Sequence, residues 1–268
     1  MIPHRPAINQ KKVRKDSPKA VAGVGAWIIS LLVCGIGLGQ SPPGDLVKRV
    51  AERETQTELA RAKYTYQQAV ELAEWDARGT RGGLYTETRE ILFSPAGERR
   101  ESFPKKPQDT LRFLKLTPED FADLREVQPA LITLERLPFY RARVKGAETV
   151  DGVDCFVIAL EPRQILDGQR FFAGLIWVAQ SDFSIVRTEG QAVPALVRRK
   201  NGQREENLFP RFTTVRQRMP DGFWLPGLTL ADDDLPFQHG VVRMRLKVEY
   251  KQYRRFAAES TIQFEPPK

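Results

Sequence analysis

Cysteine and histidine are scarce in this chain of 268 residues, which holds two of each: Cys34, Cys155, His4 and His239. Cys34 lies in an N-terminal apolar stretch, so the rest of the chain has only Cys155 and can form no internal disulfide. His239 stands beside Gly240 in a polar segment with no second ligand or base near it in sequence, which reads as a surface imidazole. Cys155, within Val153-Asp154-Cys155-Phe156-Val157-Ile158, reads as a small buried thiol. The sequence contains no Gly-x-Ser-x-Gly, no Walker loop and no His-Glu-x-x-His. Catalysis by a nucleophile and base, phosphate transfer and zinc hydrolysis therefore lack their usual groups, and no cofactor is implied.

The net charge of +8 is concentrated at one end. Residues 1–39 supply +5, with Arg5, Lys11, Lys12, Arg14, Lys15 and Lys19 against Asp16 alone, so the remaining residues carry only +3. A basic segment, the apolar run 20–39 and the breaker-rich Gln40-Ser41-Pro42-Pro43-Gly44 are the three parts of a secretory signal peptide, with Gly37 and Gly39 as the small residues of a cleavage site. The same run is long enough to cross a bilayer as an uncleaved inner-membrane anchor. Under either reading the basic flank stays in the cytoplasm, and residues 40–268 form one exported, periplasmic domain. That placement, with the near-balanced charge of the body, argues against nucleic acid as a partner.

Past residue 44, a helix is expected over 45–60, followed by about ten strands in hairpin order. The stretch 241–251 illustrates the pattern. Arg243, Arg245, Lys247 and Lys251 alternate with Val242, Met244, Leu246, Val248 and Tyr250, which places the apolar set on one face of a strand. Asp151-Gly152 signals a two-residue hairpin, and residues 79–83 read as another turn. Thr117-Pro118-Glu119-Asp120 has the cap, proline and acid that open a helix. Asp232-Asp233-Asp234 reads as a solvated turn, or as oxygen ligands for calcium without the glycine and glutamate of a known loop. Arg198-Arg199-Lys200 with Arg204 reads as a charged hairpin tip around Asn201-Gly202. The fold class expected is α+β, mainly antiparallel β, in which so wide a sheet must curl.

Four stretches resemble the LolA/LolB family of periplasmic lipoprotein carriers. They are Tyr64-Thr65-Tyr66-Gln67-Gln68; the strand 83–93 with Arg89; Leu175-Ile176-Trp177-Val178 with the following strand 185–190; and the ending Phe264-Glu265-Pro266-Pro267. The resemblance implies a strongly curved, unclosed β half-barrel with short helices across its mouth. It implies an apolar cavity that shelters acyl chains, with Arg89 holding the helical lid. The cavity-lining candidates are Tyr64, Tyr66, Val70, Leu72, Arg89, Trp177, Phe212, Trp224, Met244 and Leu246. For any one of these residues, filling a closed core is the favoured reading.

The expected role is a non-catalytic carrier or binder of a lipid or of lipoprotein acyl chains in the cell envelope. The alternative is a sensor resembling RseB/MucB, whose partner is a membrane-bound regulator. An envelope enzyme acting on lipid is the reading least supported by the side chains present.

Overall fold

The computed structural model describes residues 41–255 apart from 95–97, 130–131, 166–168, 195, 201–202, 208–209 and 238–239. The expected N-terminal signal or anchor, His239 and the expected last strand near 260–264 lie outside the described residues.

Chain order begins with helix α1 (Leu46–Arg61), then β1 (Tyr64–Trp75), β2 (Arg81–Phe93), β3 (Arg99–Ser102) and β4 (Gln108–Asp109). Helix α2 (Pro118–Ala122) runs directly into one wider π-helical stretch, Asp123–Val127, and a 3-10 turn Leu137–Phe139 follows. The remaining strands are β5 (Tyr140–Val150), β6 (Val153–Pro162), β7 (Phe171–Ala179), β8 (Ile185–Val193), β9 (Leu196–Lys200), β10 (Gln203–Asn207), β11 (Phe212–Arg218), β12 (Trp224–Phe237) and β13 (Gly240–Arg255). More than half of the structure, 56%, is strand.

Eleven strands form one antiparallel sheet, in the order β3-β2-β1-β13-β12-β11-β8-β7-β6-β5, with β4 paired to β2. The two ends do not meet, so the sheet is an unclosed half-barrel. β9 and β10 make a separate two-stranded sheet, which carries Arg198, Arg199, Lys200 and Arg204; the expected turn Asn201-Gly202 lies outside the described residues.

Local chemistry explains most element ends. Leu46, Val50, Ala51, Glu54, Thr57 and Ala60 recur at three- and four-residue spacing and are buried, which gives α1 one face toward the sheet. At α2, Thr117 N donates to Asp120 Oδ2 at 2.7 Å while the Thr117 hydroxyl accepts from Asp120 N, a reciprocal capping box. Asp151 and Gly152 both take positive φ, 51° and 78°, as a two-residue hairpin requires.

Two sequence expectations are corrected. Residues 81–83 belong to β2 rather than to a turn, because the backbone of Thr110 and Leu111 lies against Gly83. A Cβ there would sit 1.9 Å from Thr110 O. Asp232, Asp233 and Asp234 lie inside β12 rather than in a turn. Asp232 sits opposite Arg245 in the ladder and pairs with both Arg243 and Arg245 at 2.9 Å, so cross-strand charge pairing lets three acids continue a strand.

Alternation along the strands sorts the sheet into two faces. Tyr66, Val70 and Leu72 of β1 meet Tyr85 and Ile91 of β2 and Met244, Leu246, Val248 and Tyr250 of β13 in one continuous apolar cluster. Leu46 and Val50 of α1 and Leu124 and Val127 after α2 belong to it too, so both helical segments cover this inner face. The basic side chains of β13 point the other way and are exposed. A smaller cluster of Cys155, Val157, Trp177, Ala179 and Val186 occupies the outer face.

Candidate functional site: the covered inner face

The inner face is built from strand parity, and it is not uniformly apolar. Gln68, Arg89, Thr188, Thr214, Arg216 and Thr229 are all buried. Thr188 lies opposite Thr214 in the ladder, and the Thr214 and Thr229 hydroxyls are 2.8 Å apart. Gln68, Arg89, Thr214 and Arg216 reach the helical segments above them.

Besides its apolar face, helix α1 is held by a buried ion pair. Arg216 of β11 donates from Nη1 and Nη2 to Glu54 Oε1 and Oε2, both at 2.8 Å, and Nη2 also reaches Pro129 O at 3.2 Å. Both side chains are essentially sealed from water, at 1% and 0% exposure. Arg53 adds hydrogen bonds to Ser184 Oγ (2.9 Å) and Gly222 O (2.8 Å), and its guanidinium stands 4.4 Å from the Phe223 ring centroid. Residues 118–129 are tied in the same manner. Gln68 Nε2 donates to Leu124 O (3.4 Å), the Thr214 hydroxyl to Gln128 O (3.0 Å), and Arg170 pairs with Asp123 at 2.7 Å.

The ten residues expected to line a cavity divide into groups. Tyr66, Val70, Leu72, Phe212, Met244 and Leu246 come together in the inner cluster. Arg89 is buried on the same face. It pairs with Glu87 and, at 3.1 Å, with Glu101, and its guanidinium stands 5.3 Å from the ring of Phe121 in α2. Tyr64 is buried at the end of β1, its ring 6.0 Å from that of Tyr253, and burial raises its phenol pKa to about 12. Trp177 and Trp224 lie elsewhere, in the outer-face cluster, where Trp177 Nε1 donates to Glu148 and Arg187 lies 4.9 Å from the Trp177 ring. The run Leu175-Ile176-Trp177-Val178 is apolar on both faces, so its content gave no sign that Ile176 and Val178 take the inner side.

Sequence reasoning passed over Glu54, Arg216 and Glu74. Each carried a usable signal, since Glu54 continues the Leu46–Val50 stripe at i+4 and Arg216 shares the parity of Phe212 and Thr214. Glu74 shares the parity of Val70 and Leu72. It is fully buried and accepts from the backbone N–H groups of Gly83 (2.9 Å), Phe113 (3.1 Å) and Leu114 (2.7 Å), with Arg112 as a further donor.

Among the described residues no catalytic constellation forms around Cys155. Its side chain has no exposure, its thiol lies 3.3 Å from Val153 O, and burial pushes its pKa up to about 11. A raised pKa lowers the thiolate population at pH 8. Iodoacetamide at pH 8 is therefore expected to leave the Cys155 peptide unmodified in the native chain and to modify it fully in urea, as peptide mass spectrometry would show.

Two pockets flank the covered face. One, of about 350 Å³, opens on the outer side beside Leu230, Thr213 and Arg245. The other, of about 540 Å³, lies where α1, β3 and the segment after α2 meet.

No protein-family model and no curated protein matches the sequence. Among solved structures, the chain is similar to a DUF1329 family protein from Desulfovibrio piger, at 13% identity and TM-score 0.38, over 82% of this chain and 96% of that one. It is also similar to a LolA superfamily protein from Nitrosomonas europaea, at 14% identity and TM-score 0.34, over 84% and 99%. A third structure, of the Pseudomonas aeruginosa MucA/MucB complex, aligns at 14% identity and TM-score 0.22, over 80% and 99%.

Proposed function

We propose that this protein is a non-catalytic, periplasmic binder or carrier of a lipid or of lipoprotein acyl chains, which enter between the helical cover and the inner face of the sheet. The observation that supports this reading most is the polar seam between cover and sheet. A cover meant only to complete a core would be joined by apolar packing. This one adds to the apolar contacts of Leu46, Val50, Leu124 and Val127 the polar ties Glu54–Arg216, Gln68, Thr214 and Asp123–Arg170. Gln128 Oε1 and Thr188 Oγ1 in the same region are buried with no hydrogen-bond partner among the described residues.

Such a seam is weaker than it looks. A buried ion pair must first offset the loss of hydration of both charges, and an unpaired buried polar atom costs about 1–3 kcal/mol. An acyl chain gains roughly 0.8 kcal/mol for each methylene it removes from water, so a chain of a dozen methylenes supplies on the order of 10 kcal/mol. That is enough to displace a polar-seamed cover without any catalytic group.

The test is native mass spectrometry of the protein isolated from a bacterial envelope after expression of the whole chain, followed by organic extraction. The expected result is an adduct that extraction releases as lipid or acylated peptide. A lipid-free mass that persists when lipid is added would sink the carrier reading. If a membrane protein co-purified without lipid, the protein-binding sensor would take its place.

A further inference from the structure

The pocket between α1, β3 and the segment after α2 has an unusual wall. Four arginines face it, Arg61, Arg99, Arg125 and Arg136, against two carboxylates, Glu58 and Glu101. Glu101 is already engaged, at 3.1 Å from both Arg89 and Arg99. Arg61, Arg125 and Arg136 have no ion pair among the described residues. The pocket therefore holds a surplus of two positive charges in a concave, partly dry place.

That surplus costs free energy in the empty pocket. Arg61 Nε and Arg99 Nε are buried with no acceptor among the described residues. The Arg99 side chain is only 18% exposed, and burial, reinforced by the neighbouring Arg61 charge, pulls its pKa below the ordinary arginine value. Like charges gathered this closely repel in a region of reduced dielectric, and an entering anion relieves both the repulsion and the unmet donors. The planar forks of several guanidinium groups match tetrahedral oxyanions, to which each can donate two parallel hydrogen bonds.

We propose that this arginine-walled pocket is a binding site for a phosphate group, carried either by an amphiphile whose acyl chains lie under the cover or by a small soluble phosphate. The first source rests on the lipid-binding reading above; the second does not. Arg99 connects the pocket to the inner face, because its Nη2 donates to Gln68 Oε1 at 3.4 Å and its Nη1 to Arg125 O at 3.3 Å. A headgroup held here would place its chains beside Tyr66 and Ile91, where the inner cluster begins.

The test titrates the full chain with dioctanoylphosphatidic acid, dioctanoylglycerol and glycerol 3-phosphate, and repeats all three with an Arg125→Gln/Arg136→Gln variant. Neither arginine makes an ion pair among the described residues, and removing them relieves like-charge repulsion, so the variant's thermal midpoint is expected to equal or slightly exceed the parent's. Phosphatidic acid is expected to bind at least about ten-fold more tightly than dioctanoylglycerol, and the variant to lose that advantage. Glycerol 3-phosphate binding as tightly as phosphatidic acid would assign a soluble phosphate, whereas its failure to bind would assign a lipid headgroup; both uphold the site if the variant loses binding. Equal affinity for phosphatidic acid and dioctanoylglycerol, or a variant that binds as the parent does, would overturn it. If dioctanoylglycerol failed while glycerol 3-phosphate bound and was lost in the variant, the lipid reading would fall and the phosphate site would stand.

Discussion

Replacing Arg216 with alanine is expected to lower the unfolding free energy by about 3–5 kcal/mol, read as a fall in the urea midpoint. The size follows from what is left behind. Glu54 would remain as a carboxylate with no exposure to water and no counter-charge, and Pro129 O would lose the Nη2 donor. Glu54→Ala strands the guanidinium instead and is expected to cost a similar amount. The double replacement Glu54→Leu with Arg216→Met removes both charges, and is expected to be near neutral or more stable than the parent. If the pair serves to keep the cover removable, that double variant should also take up lipid more slowly, since apolar packing would now close the seam. A double variant that lost stability as severely as the single ones would show instead that the pair is a net source of stability, and the account of a releasable cover would weaken.

The second large effect is expected at Glu74. Its carboxylate gathers the backbone N–H groups of Gly83, Arg112, Phe113 and Leu114, so one side chain organises a whole loop against the sheet. Glu74→Ala would leave those donors to seek water. Arg112 and Phe113 are exposed enough to find it, but Gly83 is buried. The expected loss is about 2–4 kcal/mol, accompanied by faster amide hydrogen exchange over residues 110–114. Glu74→Gln keeps one acceptor oxygen and is expected to lose roughly half as much. Unchanged exchange in the alanine variant would mean that the loop is held by Thr110, whose hydroxyl donates to Leu84 O at 2.9 Å.

Where side-chain chemistry is local, the sequence is a reliable guide. Thr117 and Asp120 lie three residues apart and cap each other wherever the helix ends up. Asp151-Gly152 needs only its own backbone to turn. The alternation in β13 is equally local, and Met244, Leu246, Val248 and Tyr250 are all buried as the period-two pattern requires.

The misreadings share a physical cause, which is that the deciding partner is distant in the chain. The three aspartates of β12 look like a turn until Arg243 and Arg245 lie beside them. Gly82 and Gly83 look like turn residues until the Thr110 backbone packs onto Gly83. Trp177 and Trp224 carry as much apolar surface as any residue in the chain, yet parity sends them to the outer face with Cys155. Glu54 and Arg216 are separated by 162 residues, and each alone resembles one more charge on a well-charged surface. Only when the sheet brings β11 under α1 does the pair become a feature of the inner face. The same holds for the arginine-walled pocket, whose four cations come from three separate segments.

The central claim is that the inner face beneath the helices receives an acyl chain. A photoactivatable fatty acid incubated with the full chain, irradiated and mapped by peptide mass spectrometry tests it most directly. The account predicts labelling of the β1 and β13 peptides that carry Val70, Leu72, Met244 and Leu246, suppressed by excess unlabelled fatty acid. Competable labelling confined to the Trp177 and Trp224 peptides would contradict it and move the binding surface to the outer face.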